Sequence, residues 1–279
     1  MPEPAAAGTW RVWAVRVATA QRPARDNFLS PGDRSGSAAI DFVVFVLADG
    51  DGPDAELAVV DTGFSRAAGE RRGRHLDLTA GEAVRAVGRQ PEDVRTVVLS
   101  HLHYDHAGNV GDFPNAQVVL QRAELEYATG PAMRHDRLSH FFEADDVAAV
   151  VHRLYAGGVT IVDGGRELRP GLEVALIAGH TRGSQVVRVH TERGWVVLAC
   201  DGVHYFANLA ERNPFPALVD VEQVLDGYER IEALASSPDH VVPGHDPQLF
   251  ERYELEPDGQ GRTIAALHRP PVAAGVAPA

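Results

Sequence analysis

The chain has 279 residues, of which 44% are hydrophobic and 23% are charged, values typical of a globular protein. Its formal net charge of −13 argues against a nucleic-acid or anionic-membrane partner, because the phosphates would be repelled. All 26 basic residues are arginine. This excludes Schiff-base chemistry by a lysine and the phosphate-binding lysine of a P-loop.

The single cysteine, Cys200, excludes an intrachain disulfide and a zinc site built from several cysteines. The first residues, MPEPAAAGTW, lack the basic and apolar regions of a secretory signal. No apolar run approaches the roughly 20 residues of a membrane span. We therefore expect a cytoplasmic protein without a membrane partner, either a monomer or a homodimer.

Short β-branched runs alternate with amphipathic segments along the chain. The first helix has a capping-box pattern, with Thr79 at its start and Glu82 three residues later. A polar, turn-rich segment at residues 27–36 is expected to be a loop over a site. In chain order, the patterns predict strands at 11–19, 41–48, 57–63, 94–101 and 116–121, with a helix at 79–88; then a helix at 144–156, strands at 172–179, 185–190 and 194–202, and a helix at 220–235.

Strands in both halves with interspersed helices predict an α/β (α+β) protein. Two sheets packed face to face with helices outside, an αββα four-layer sandwich, fit this order better than a doubly wound parallel sheet. No repeat or linker divides the chain, so we expect one domain over residues 1–279. Residues 1–9 and 268–279 are rich in small residues and proline and are expected to be flexible ends.

Three histidines and an aspartate fall within six residues of the segment SHLHYDHAGN, directly after the predicted strand 94–101. They are His101, His103, Asp105 and His106. Imidazole and carboxylate groups suit zinc, and also iron, cobalt or manganese. Four such side chains in six residues are hard to place around one tetrahedral ion, so two metals are the easier interpretation.

Three further candidate ligands stand at other strand ends. His180 follows an apolar strand in LIAGHTRGSQ, Asp201 ends the strand VVLACDG, and His245 follows a Pro-Gly turn in HVVPGHDP. Side chains at strand ends gather at one edge of a sheet, where functional sites are common. These positions predict that the metal site is completed from distant parts of the chain.

The motifs VVDTG, SHLHYDHAGN, AGHTRGSQ, CDG and PGHD, in this order, resemble those of the metallo-β-lactamase superfamily, and within it the N-acyl-homoserine lactonase-like hydrolases. The resemblance covers residues 56–247. The intervals of 21 residues from His180 to Asp201 and 44 from Asp201 to His245 are similar to those of the lactonases. The resemblance implies the αββα sandwich and two divalent metal ions, zinc first. It implies one ion held by His101, His103 and His180, a second held by Asp105, His106 and His245, and Asp201 bridging both.

The activity that the resemblance implies is the opening of a lactone ring, with a metal-bridging hydroxide attacking the ester carbonyl and Asp105 relaying a proton to the leaving alkoxide. Familiar lactonases have a tyrosine three residues after the bridging aspartate. Here that residue is His204, followed by Tyr205, and either could stabilise the oxyanion. N-acyl-homoserine lactones are the first expected substrates. Another small or aromatic-fused lactone (as in 4-pyridoxolactonase), a thioester as in glyoxalase II, and an iron persulfide dioxygenase are the alternatives.

Other residues near the motifs allow weaker predictions. Asp61 in VVDTG is expected to hold the ligand loop by hydrogen bonds, and Cys200 to be a core thiol. The loops 24–36 and 134–145 are expected to shape the substrate pocket. The aromatic residues near the motifs either line that pocket or belong to the core; they are Tyr104, Phe141, Phe142, Phe206 and Phe215.

Overall fold

The computed structural model describes residues 8–52 and 54–272. Its strands, in chain order, are β1 Arg11–Pro23, β2 Ser37–Ala48, β3 Leu57–Val60, β4 Val94–Val98, β5 Gln117–Gln121, β6 Val159–Val162, β7 Arg166–Arg169, β8 Leu172–Leu176, β9 Gln185–Thr191, β10 Gly194–Cys200, β11 Val241–Pro243 and β12 Ile264–Ala266. They form a seven-stranded sheet of order β12-β1-β2-β3-β4-β5-β6 and a five-stranded sheet of order β11-β10-β9-β8-β7.

In chain order, the α-helices lie between the strands. They are α1 Arg66–Arg72, α2 Ala80–Ala86, α3 Tyr104–Ala107, α4 Arg122–Ala128, α5 Asp136–Ser139, α6 Ala144–Tyr155, α7 Phe206–Ala210, α8 Val221–Leu234 and α9 Leu249–Arg252. Short 3₁₀ helices occur at Ala24–Asn27, Pro91–Asp93, Val110–Asp112, Pro131–Arg134 and Pro238–His240. The predicted capping box at the start of α2 is confirmed: Thr79 and Glu82 exchange side-chain and backbone hydrogen bonds.

Strand β2 shows how the layers arise from the two-residue period of a strand. Val43, Phe45 and Leu47 point into the core between the two sheets. Phe42 and Val44, on the other face, pack in a second cluster with helices α2 and α6. Because both faces are covered, this strand is apolar almost throughout.

On the outer face of the five-stranded sheet, α8 buries one stripe of its surface. Val224, Tyr228 and Ile231, spaced four and three residues apart, pack against Val186 and Val197 of β9 and β10. The four layers are therefore helix, sheet, sheet and helix. The predicted sandwich is confirmed. The strands that the sequence did not predict, β6, β7, β11 and β12, are three or four residues long, too short to show a period.

The topology brings several strand ends to one edge. Strand β4 runs parallel to β3 and β5, and β10 runs parallel to β11. Strand β8 is antiparallel to β9, which is antiparallel to β10, so β8 and β10 point the same way. The loops after β8, β10 and β11 therefore lie at one edge of the five-stranded sheet. A hydrogen bond of 2.9 Å from the N–H of Gln185 to the carbonyl of Ser100 brings the loop after β4 beside them, so the loops with the candidate ligands lie near one another.

Two expectations concern the ends of the chain and its relation to membranes. Most of the expected flexible ends, residues 1–7 and 273–279, lies outside the described residues. His268, at the start of the second of these segments, is 3% exposed and contacts the backbone of Val12. In the residues that the structure describes, no helix is both long enough and apolar enough to span a bilayer.

Candidate metal centre

The first group of candidate ligands surrounds the Nε2 atom of His180. This nitrogen lies 3.1 Å from Nε2 of His101, 3.0 Å from Nδ1 of His103 and 3.1 Å from Oδ2 of Asp201. All four side chains are buried. Each offers one ligand atom within 4.8 Å of the others, close enough for one ion.

The second group consists of Asp105, His106 and His245, whose ligand atoms also lie within 4.8 Å of one another. Asp201 faces this group with its other oxygen: Oδ1 is 3.1 Å from Nε2 of His106 and 2.9 Å from Nε2 of His245. One carboxylate therefore turns an oxygen toward each group. The structure brings together all seven residues that the sequence analysis singled out as ligands.

The chemistry of these side chains fits a pair of cations. The Nε2 atom of His106 is buried, and although Oδ1 of Asp201 lies 3.1 Å away, the two atoms do not have hydrogen-bond geometry. The nitrogens of His101, His103 and His180 point at one another, although imidazoles in contact cannot all supply protons to each other. A divalent ion in each group would satisfy these lone pairs.

Backbone carbonyls hold the second ring nitrogen of two of these histidines. Nδ1 of His180 donates to the carbonyl of Ala217 at 2.6 Å, and Nδ1 of His245 donates to the carbonyl of Asp41 at 2.7 Å. A carbonyl only accepts, so both rings carry the proton on Nδ1 and leave Nε2 with a lone pair when neutral. Such contacts orient metal-binding histidines.

Asp61 supports the motif loop as expected. Its Oδ1 accepts from the backbone N–H of Ser100 at 2.7 Å, and its Oδ2 contacts the Ser100 hydroxyl and Nδ1 of His106, both at 2.8 Å. Asp61 has a φ of 60°, and Cys200, beside the bridging aspartate, has a φ of 46°. Non-glycine residues rarely adopt this region, so both backbones are strained next to the site. The Cys200 thiol is buried between the sheets, as predicted.

The protonation states favour cation binding. Burial and the neighbouring histidines hold the pKa of His101 and of His103 well below the usual value, which keeps both rings neutral. Burial alone would raise the pKa of Asp201, but His204, His106 and the other histidines around it hold that pKa well below its usual value. His101 and His103 therefore offer neutral imidazoles, and Asp201 offers an ionised carboxylate. At His106 and His245 burial also lowers the pKa, but Asp201 and the other nearby carboxylates outweigh it and raise both pKa values, so a cation that binds there would displace a proton.

His204 and Tyr205 occupy different environments. Nε2 of His204 lies 3.0 Å from Oδ2 of Asp201, and burial lowers the pKa of His204 to about 4, against the opposing effect of Asp201. The Tyr205 hydroxyl instead donates to the carbonyl of Ala39 at 3.1 Å. Of these two side chains, His204 lines the cleft at the ligand groups.

A cleft of about 70 Å³ above the ligand groups adjoins a cavity of about 610 Å³. The two share four lining residues, His103, Phe141, His180 and Ala217. Residues 136–138, 140 and 141 line the larger cavity, so the loop 134–145 shapes it as expected. In the other predicted loop, Phe28, Leu29 and Pro31 line a neighbouring surface cavity.

Three of the five aromatic residues near the motifs line the cleft, and two do not. Tyr104, Phe141 and Phe215 line the cleft. Phe142 contacts the ring of His103 edge-on, with centroids 4.7 Å apart, and Phe206 lies under the guanidinium of Arg252. The sequence could not separate these two sets, because their positions depend on distant packing.

Glu124 is a supporting residue that the sequence analysis missed. Its side chain is fully buried and accepts hydrogen bonds from the N–H of Leu102 at 2.9 Å, the hydroxyl of Thr181 at 2.6 Å and the N–H of Gly183 at 3.2 Å. It thus joins the loop of His101 and His103 to the loop of His180. A side chain at Gly183 would lie 2.0 Å from the Glu124 nitrogen, so only glycine fits there. No local pattern around Glu124 marks this role.

Comparisons with known proteins agree with this architecture. The sequence profile of the metallo-beta-lactamase superfamily matches residues 42–245. An N-acyl homoserine lactonase of Bacillus cereus is 31% identical over 177 residues, which are 63% of this chain and 65% of that protein. The match therefore spans slightly less than two thirds of that relative.

Two solved structures show the same fold. A quorum-quenching N-acyl homoserine lactone lactonase superposes with a TM-score of 0.69 at 22% identity, covering 85% of this chain and 92% of the other. AidC, described as a dizinc quorum-quenching lactonase, superposes with a TM-score of 0.62 at 16% identity, covering 86% and 89%. By profile, fold and the position of its His/Asp cluster, this chain belongs to the metallo-β-lactamase superfamily.

Proposed function

We propose that this protein is a dinuclear metal-dependent hydrolase that opens a lactone ring, with N-acyl-homoserine lactones as the leading substrates. The observation that carries the proposal is Asp201, whose two oxygens each face a separate group of buried histidines. The names of the relatives, lactonases at about 30% identity, support the same reaction class.

Each of the two ligand groups would hold one metal ion. When bound, divalent ions, zinc first, would lower the pKa of a water molecule toward about 7 and polarise an ester carbonyl. The residues that would hold them are His101, His103 and His180 for one ion and Asp105, His106 and His245 for the other, with Asp201 between the two.

Proton transfer and stabilisation of the oxyanion would be carried out by Asp105 and His204. Asp105 is only half-buried, and its Oδ1 lies 3.8 Å from Nε2 of His106. This places a carboxylate at the cleft, where it can take the proton released at attack and return it to the leaving alkoxide. Burial lowers the pKa of His204 to about 4, which favours the neutral ring, and its Nε2 lies 3.0 Å from Oδ2 of Asp201. A proton carried on this nitrogen would lie within reach of the site, and His204 could turn it from Asp201 to the carbonyl oxygen as negative charge develops.

A second substrate class within the same chemistry is a small or aromatic-fused lactone. Phe141 and Phe215 add apolar aromatic surface to the cleft, which favours a ring-bearing substrate. A thioester would use the same machinery. A mononuclear iron dioxygenase would not need the second group, Asp105, His106 and His245.

The test is hydrolysis of a lactone panel, followed with a pH indicator, with metal content measured on the same sample. The panel contains long- and short-chain homoserine lactones, plain γ- and δ-lactones and aromatic-fused lactones. The proposal expects about two metals per chain and turnover of at least one lactone class. Two metals without lactone turnover would move the assignment to thioesters, and a single iron with oxygen consumption on a persulfide would refute it. Protein stripped of metal is the control.

The proposal includes a single domain over residues 1–279, acting as a monomer or homodimer in the cytoplasm on a small molecule. The single, buried cysteine is consistent with a reducing compartment. Light scattering of the purified protein tests the oligomeric state.

A further inference from the structure

Two arginines line the cleft at the ligand groups, and the proposed reaction does not use them. Arg22 is near the end of β1, and Arg74 lies in the loop after α1; both side chains are half-buried. They share the cleft with Ile40 and Phe215. The chain has 39 acidic residues for 26 arginines, so an arginine without a carboxylate partner calls for an explanation.

Two neighbouring arginines form ion pairs with carboxylates, whereas Arg22 and Arg74 do not do so in the described residues. Arg25 lies 3.7 Å from Asp26, and Arg72 lies 3.0 Å from Glu143. Within residues 8–52 and 54–272, neither Arg22 nor Arg74 forms an ion pair with a carboxylate. Arg22 donates only to a backbone oxygen, that of Asp26, at 2.8 Å. In the same part of the chain, Nη1 of Arg74 is buried without any hydrogen-bond partner.

An arginine with a structural role in this protein has its guanidinium engaged in several hydrogen bonds. The guanidinium of Arg153 donates to three backbone carbonyls, those of Val110, Phe113 and Ala116, and thereby fixes a turn. Arg74 makes no comparable contact in the described residues. Burying an unpaired N–H of a charged group is costly, so such a group in a cleft is best explained by a ligand that binds there.

Aromatic rings hold both guanidinium groups in place. The Cζ atom of Arg22 lies 4.7 Å from the ring centre of Phe215, and that of Arg74 lies 4.9 Å from Phe42 and 5.7 Å from Tyr104. Stacking on a ring orients a guanidinium without neutralising its charge. Burial lowers the pKa of Arg22, Tyr205 and Asp26 oppose this effect, and the charge of Arg74 lowers the pKa again. An anion that contacts both side chains would relieve this repulsion.

The two carboxylates in the cleft do not fill this role, because Asp105 and Asp201 face the histidines. The neutral ester of a lactone does not need two guanidinium groups either. We propose that Arg22 and Arg74 bind a carboxylate that the substrate carries in addition to the ester that is opened; this inference rests on the lactonase function proposed above. The preferred substrate class is therefore a lactone carboxylic acid, because a planar carboxylate matches the paired N–H groups of a guanidinium.

The first experiment compares two lactones that differ only in charge, 5-oxotetrahydrofuran-2-carboxylate and its carboxamide. For the unmodified protein, kcat/KM is expected to be higher for the carboxylate by about tenfold or more, the effect of one charge-assisted hydrogen bond. Arg22→Gln and Arg74→Gln should each lower kcat/KM for the carboxylate by about tenfold more than kcat/KM for the carboxamide. Arg25→Gln, an exposed neighbour with the same change in charge, should leave both values unchanged.

A binding measurement separates this proposal from the lactonase function. Tetrahydrofuran-2-carboxylate cannot be hydrolysed, and its affinity for the metal-loaded protein is measured by calorimetry beside that of its carboxamide. If neither lactone is turned over, the lactonase proposal fails, but arginine-dependent binding of the carboxylate would still support the anion site. Equal use of the charged and neutral lactones, or carboxylate binding that both arginine variants retain in full, overturns the anion site. If a variant does not fold, the unmodified protein decides: its preference for the carboxylate should shrink as salt rises.

Discussion

The ring of Phe215 lies parallel to the imidazole of His204, with the two centroids 3.9 Å apart and the planes inclined by 7°. The stacked ring turns Nε2 of His204 toward Oδ2 of Asp201, 3.0 Å away. Phe215 comes from the segment after α7, so a contact between two loops sets the direction of the donor.

We expect His204→Phe to lower kcat for lactone opening by about tenfold to a thousandfold, because the flat ring is kept while the donor at the oxyanion is lost. His204→Gln should recover part of the loss, since its amide can also donate. Kinetics on the best lactone of the panel, with metal content measured for each variant, check the prediction. Full activity in His204→Phe at unchanged metal content would exclude this role for His204.

Tyr205→Phe should change stability rather than catalysis. The hydroxyl donates to the carbonyl of Ala39, so its removal should lower the free energy of unfolding by about 1 kcal/mol and leave kcat within about twofold. Urea denaturation and the same lactone assay measure both effects. A loss of kcat comparable to that of His204→Phe would show that Tyr205 moves to the substrate during the reaction.

Removing metal should destabilise the protein as well as inactivate it. The seven candidate ligands are almost all buried, and without ions the lone pairs of their nitrogens crowd one another. At a zinc concentration one hundred times its dissociation constant, each bound ion would add about 2.7 kcal/mol to the free energy of unfolding. Thermal unfolding with chelator, and again after zinc is restored, tests this. His106→Ala should show a smaller chelator effect, and a melting temperature that chelator does not change would contradict the metal centre.

Glu124→Gln should loosen the two loops that this carboxylate joins. The amide keeps one acceptor oxygen, so hydrogen bonds from Leu102, Thr181 and Gly183 cannot all be satisfied, which should lower the free energy of unfolding by about 1–3 kcal/mol. Zinc affinity should fall by about tenfold to a hundredfold, because His180 is held by the same loop. Denaturation and zinc titration measure the two effects. Glu126→Gln, an exposed substitution in the same helix, serves as the control and should change neither.

Asp146 should make stability depend on pH. Burial, together with Glu143 and Asp145, raises its pKa to about 7 from the usual 3.8, and in the described residues its Oδ2 has no hydrogen-bond partner. The folded state therefore binds this proton more tightly than the unfolded chain does. As pH rises from about 4 to about 7, this difference lowers the free energy of unfolding, and the free energy stays lowered above about pH 7. Asp146→Asn should therefore stabilise the protein at pH 8, by about 1 kcal/mol once partial exposure is discounted, and have little effect at pH 4.

Denaturation curves at both pH values check this prediction. The matched control is Asp145→Asn, an exposed substitution in the same helical turn. Equal gains from the two substitutions would mean that the effect arises from the charge of the turn rather than from the buried carboxyl of Asp146.

The sequence by itself determined the layers and the location of the candidate ligands. Strand periodicity and strand ends are local properties, so the positions of His101, His180 and His245 after apolar strands could be recognised without knowing the fold. The capping box of Thr79 and Glu82 is local as well. The short strands at the sheet edges could not be predicted, because three or four residues show no reliable period.

Only the tertiary structure decided where the neighbouring side chains point. Tyr205 meets a carbonyl 166 residues away, and Glu124 meets Thr181 across 57 residues. The two arginines of the cleft stand out only because, among the described residues, neither forms an ion pair with a carboxylate. The direction of a side chain and the satisfaction of its hydrogen bonds depend on contacts between distant segments, which spacing along the chain does not encode.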